Sequence, residues 1–174
     1  MSNLTYHMAS APLFTRGLKA MSNLLDKAVA GGMSEADIME ARLAPDMLPL
    51  PAQIGIASDT AKGAIARLAG VENPVMADDA ATVADLKERL AKTVAFIDSV
   101  AASKFEGAAD REIVLKFPQI EMHFRGHEYL PQFALPNFYF HVTMLYAILR
   151  MKGVALGKGD FLSTMDPSFI RPKG

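Results

Sequence analysis

The chain has 174 residues, a length that suits one domain (1–174) able to bury a real core. Its 18 basic and 19 acidic residues leave a formal charge of −1, so there is no basic surplus to bind nucleic acid or an anionic membrane. Cysteine is absent, which excludes disulfides, thiolate metal sites and cysteine nucleophiles.

The opening stretch MSNLTYHMASAPLF has no positive region and no continuous apolar run, so no signal peptide is expected and the expected location is cytoplasmic. Phe14, Leu18, Met21, Leu25 and Ala28 then fall three and four residues apart, the spacing of one apolar stripe on a helix. Ser10 and Pro12 mark its start and Gly31-Gly32 its end. MSEADIMEAR reads as a short helix capped by Ser34, with Asp37 at the capping-box position. Three prolines between Ala44 and Pro51 make a shaped connection.

A second long helix is expected from about Pro51 to Ala69, with Ala57, Ala61, Ala64, Ile65 and Leu68 on one face and Gly70 beyond its end. After the polar loop VENPVMADDAA, Thr82 caps a third, with Asp85 three residues on. Its stripe is Val83, Leu86, Leu90, Val94, Ile97 and Ala101. REIVLKF then alternates, Pro118-Gln119 interrupts, and IEMHF continues, which predicts a short hairpin or extended excursion. Gly126 and Pro131 keep the chain irregular until Pro136, where the fourth long helix starts and runs to about Gly153. The tail reads as coil with at most a short turn around Phe161. The fold class is therefore all-α: a four-helix bundle with a short β-hairpin or extended insert before the last helix.

Between Glu128 and Arg150 lie 21 residues without a formal charge, nominally enough to span a bilayer. Pro131 and Pro136 break the first third of this run, and the remainder is too short to cross, so it reads as a buried helix.

The order of these helices, the insert, and the two segments RLAPDMLPLPAQIGIASDTAKGAIARLAGVENP and LPNFYFHVTMLYAILRMKGVALGKGDFL resemble the DinB/YfiT-like metalloenzyme superfamily, and more closely an uncharacterised branch of it. The resemblance covers nearly the whole chain. It implies a bundle that holds a divalent ion with one histidine from the second long helix and a His-x-x-x-His pair on the fourth. Here the pair is Asn137 and His141, and Gln53 lies nearest to the second-helix position. The resemblance also implies a homodimer.

On a wheel of about 100° per residue, His141 falls within the apolar face of the fourth helix, with Asn137 one turn before it. A buried imidazole needs a partner, because an unpaired buried polar group costs roughly 1–3 kcal/mol. Asn137 or a group on another helix would supply it. Three readings stay open for His141: a hydrogen-bonded core residue beside a small cavity, a ligand contact, or a metal ligand. Amide oxygens are poor transition-metal ligands, so no bound metal or cofactor is expected. The candidate ligand-binding set is His141, Asn137, Gln53 and His7, the last if the first helix extends backward. The expected function is small-molecule binding at this set; the alternative is a divalent-metal-dependent enzyme of transferase or hydrolase type.

HFRGH places His123 and His127 four apart, but on a strand such residues sit roughly 13 Å apart, too far to share an ion. Asp59 maps outward, to a surface contact or helix packing, and Arg42, Asp46 and Arg150 to the bundle ends. Phe96, Tyr139 and Tyr146 read as outward aromatics, a weak independent pointer to the homodimer.

Overall fold

The computed structural model describes residues 4–171; residues 1–3 and 172–174, Pro172 of the tail among them, lie outside it. The chain is mostly helical, 61%, with one small antiparallel hairpin. Among the described residues four helices are long: α1 (Ala11–Ala30), α3 (Leu50–Ala69), α4 (Val83–Ser99) and α6 (Leu135–Met151). Short helices add to them: α2 (Glu35–Glu40), α5 (Gly126–Tyr129) and α7 (Lys158–Phe161). The long helices form a closed ring of contacts, α1 on α4, α4 on α3, α3 on α6 and α6 on α1.

Local chemistry explains the boundaries. Ser34 accepts from the Asp37 amide to start α2, and Gly70 ends α3 in the left-handed region at φ 66°. Thr82 and Asp85 complete a reciprocal capping box at α4, a device worth about 1 kcal/mol. The apolar stripes then meet in the centre: Phe14, Leu18, Met21 and Leu25 pack with Ile54, Ile65, Leu86, Phe138, Leu145 and Leu149. The α4 stripe is inward through Ile97, with Val94 half-buried against the core; only Ala101 departs from it, lying exposed beyond the helix.

β1 (Glu112–Lys116) pairs with β2 (Glu121–Arg125), Ile113 opposite Phe124 and Leu115 opposite Met122. The alternation REIVLKF thus folds as its period of two requires.

The expected irregular run from Gly126 to Pro136 is instead helical. α5 passes into a π-helical turn over Leu130–Ala134, which passes directly into α6. The wider turn is what accommodates Pro131 and Pro136: the Leu135 amide reaches back five residues to the Leu130 carbonyl. Gly126 lets the helix begin against the preceding loop, since a methyl group there would run into the Ala108 carbonyl.

The tail holds the short turn expected around Phe161, α7, in otherwise irregular chain. α7 docks on α1 through the Lys27–Asp160 ion pair, and Thr164 donates to the Arg16 carbonyl at 3.1 Å. Phe161 meets Tyr146 edge-on at 6.0 Å, and the Tyr139 hydroxyl lies 3.5 Å from the Leu13 carbonyl. Both tyrosines are half-buried by their own chain, as is Phe96, so none is a free outward aromatic. Among the described residues, no helix is long and apolar enough to cross a membrane.

Candidate functional site

His141 sits midway along α6 and is only 8% exposed. Its Nδ1 lies 2.7 Å from Gln53 Oε1, across the seam between α6 and α3. Gln53 is itself buried, and its Nε2 donates to the Leu48 carbonyl at 3.0 Å, in the segment leading into α3. The carbonyl can only accept, so it fixes the amide with nitrogen toward Leu48 and oxygen toward the ring. An amide oxygen can only accept as well, so His141 carries its proton on Nδ1. The lone pair is left on Nε2.

Burial holds the His141 pKa below its ordinary value, because the imidazolium loses solvation there. The ring is neutral at pH 7. Among the described residues Nε2 has no hydrogen-bond partner, yet it is not among the fully sealed polar atoms without one, which are Thr15 Oγ1, Arg16 Nε, Ser58 Oγ and Arg89 Nε. A neutral imidazole presented this way can accept a hydrogen bond, take a proton, or ligate a metal.

The other expected site residues have different partners. Asn137 is half-buried and donates to Thr60 Oγ1 at 2.8 Å, farther along the α3–α6 seam. His7 packs edge-on against Phe105, the residues following α4, with ring centroids 5.3 Å apart. Of the expected set, the structure brings His141 and Gln53 into direct contact. His123 lies exposed on β2 near Glu121, and His127 stands on α5 with Nδ1 3.0 Å from the Ala109 carbonyl.

The donor set does not fit the three-histidine metal site that the resemblance implies. Both ends of the Gln53 amide are used, by His141 and Leu48, and the Asn137 amide is turned to Thr60. Among the described residues no three His, Asp or Glu side chains gather where an ion would sit.

The other flank of α3 carries charge instead. Lys62 and Arg89 are buried, 6% and 7% exposed, and both reach Asp59 Oδ1, at 3.1 and 3.0 Å. Arg89 Nη1 also donates to the Ala77 carbonyl and to Asp78 Oδ1, each at 2.7 Å. Residues 71–82 thereby form a strap across α3 and α4, held also by Lys62 at Asn73. Beneath it lies a cleft of about 390 Å³ with Pro51, Ala52, Gly55, Ile56, Leu86 and Arg89 in its walls; His141, Asn137 and His7 do not line it. Sequence reasoning missed Lys62 and Arg89. A signal existed: each stands beside apolar stripe positions, Lys62 after Ala61 and Arg89 before Leu90.

A helical bundle with a neutral, oriented histidine in one seam is the class that this geometry defines. The profile of a domain of unknown function, DUF1993, matches residues 6–162. The chain belongs to that family. It is also similar to a crystallised DinB family member protein from Shewanella denitrificans, at 33% identity over 90% of each chain with a TM-score of 0.81. No functionally curated protein matches the chain.

Proposed function

We propose that this DUF1993 protein is a DinB-like four-helix bundle that binds a small polar molecule at the α3–α6 seam without a resident metal. His141 Nε2 accepts a hydrogen bond from a hydroxyl or N–H group of the ligand. The supporting observation is the Leu48–Gln53–His141 chain of hydrogen bonds, which fixes the tautomer and leaves the Nε2 lone pair unpartnered among the described residues. The test is nitrogen-15 NMR of the His141 ring during a screen of hydroxylated and amine metabolites, with elemental analysis of protein purified without a metal-affinity tag. A saturable shift of Nε2, lost in Gln53→Leu, is expected. A screen that leaves Nε2 unmoved, or about one zinc per chain that His141→Ala removes, overturns the reading.

The homodimer is part of the same proposal. Phe140 and Met151 share the outer flank of α6, 52% and 50% exposed, and supply the apolar surface for pairing. Light scattering at micromolar concentration is expected to give twice the single-chain mass; a single-chain mass that persists on concentration rules the dimer out.

A further inference from the structure

The α3–α4 cleft lies apart from His141 and has buried charge of its own. A buried charge needs a partner. One partner of Arg89, Asp78, has a side chain 78% exposed and is carried on the irregular strap rather than on a helix. An exposed carboxylate gains little from such a pair, because water solvates it almost as well. Arg89 also has a buried Nε without a partner among the described residues, so its donors outnumber the acceptors supplied. The remaining charges do not cancel it: Asp59 is shared with Lys62, leaving two buried cations on one fixed helical carboxylate.

The cleft walls combine apolar Pro51, Ala52, Ile56 and Leu86 with Arg89 and its two carboxylate partners, Asp59 and Asp78. Gly55 keeps the cleft open. A β-carbon at that position would meet nothing within ordinary contact except Asp78 Oδ1, at 3.8 Å. An acid group beside an apolar pocket describes what would bind there.

The geometry points to a binding site for a small monocarboxylate with an apolar body, which displaces Asp78 from Arg89 and lays its body against Gly55 and Leu86. The ligand carboxylate then takes the Nη1 donor that Asp78 occupies, while Asp59 and the Ala77 carbonyl keep the guanidinium in place. Binding exchanges one ion pair for another and adds the burial of the apolar body. No proton or covalent bond changes hands.

The probes are hexanoate and benzoate, against hexanol and benzamide as uncharged counterparts, followed by amide chemical shifts of the full chain. Saturable shifts at Gly55, Asp78 and Leu86 are expected with the acids. The uncharged counterparts should bind about tenfold more weakly or worse, having no charge-assisted bond to Arg89. Asp78→Ala removes the internal competitor and should tighten hexanoate binding by up to about fivefold. Gly55→Leu fills the cleft and should abolish it. Both variants spare Arg89, so a folded spectrum is a fair control. Absence of saturable shifts in both the parent and Asp78→Ala, equal binding of acids and uncharged counterparts, or weaker binding by Asp78→Ala each overturns the proposal. Because His141 lies on the other flank of α3, its ring signals should stay fixed, which separates this outcome from the seam reading above.

Discussion

The two flanks of α3 handle buried polarity in opposite ways. Toward α6, Gln53 meets a neutral His141, and the pair is held by directed hydrogen bonds alone. Toward α4, Lys62 and Arg89 meet Asp59 and Asp78, and charge does the holding. The neutral seam fixes the position of one proton and is nearly indifferent to salt. The charged seam tolerates exchange of partners but depends on charge balance. One helix thus separates a place where geometry is specified from a place where only the sign of charge is.

The most severe way to break this comparison is Arg89→Ala. It strands the Ala77 carbonyl and frees the strap, and should cost about 2–4 kcal/mol in urea unfolding, less than a wholly buried pair because Asp59 and Asp78 are partly exposed. A cost below that of an ordinary surface substitution would mean that the strap is not held by Arg89.

On the neutral side, Gln53→Leu leaves the His141 Nδ1–H without its acceptor and should cost about 1–3 kcal/mol. Gln53→Glu makes the sharper test. A carboxylate at that position favours the imidazolium, so the His141 pKa, read by NMR titration, should rise. An unchanged value would show that the two side chains are not coupled in solution.

The pH dependence follows from the depressed His141 pKa. The folded value lies below the unfolded value of 6.5, so the unfolded chain takes up the proton first as pH falls. The stability tied to the neutral ring is therefore full above about 6.5 and declines below it, until the folded ring protonates as well. Thermal melts of the parent should lose stability over that acid range more steeply than those of His141→Asn. Parallel curves would contradict it. The smallest effect belongs to Asp78→Ala, within about 1 kcal/mol, because its carboxylate is mostly solvated. A larger loss, checked in urea at low and high salt, would move Asp78 from replaceable partner to structural one.

What the sequence disclosed follows from the range over which each signal acts. The Thr82–Asp85 capping box, the Ser34 cap and the α1 stripe need only residues a few positions apart, and all are present. The inward direction of His141 was legible for the same reason. Its partnership with Gln53 was not, and neither was that of Asn137 with Thr60, because 88 and 77 residues separate the members. Arg89 and Lys62 were hidden by the habit of assigning charge to solvent. Pro131 reads locally as a break, whereas a wider turn carries the chain through it into α6, whose first turn holds Pro136 as expected. The short turn at Phe161 was legible, but its docking was not, because its contacts lie on α1 and α6.

That wider turn also sets the phase of the helix that follows. In an uninterrupted α-helix, Tyr129 and His141 would point about 120° apart. One surplus residue removes about 100° of that angle, leaving them nearly aligned. The same correction swings Gly126 and Leu130 into the sector that holds Phe138, Val142 and Leu145, and all of these are buried. The turn works like a vernier, spending one residue to bring two helical registers onto a single face. Deleting a residue between Leu130 and Ala134 would undo this without touching His141 or Gln53. The histidine would then be aimed off the seam, and its ring would lose the Gln53 partner that fixes its proton.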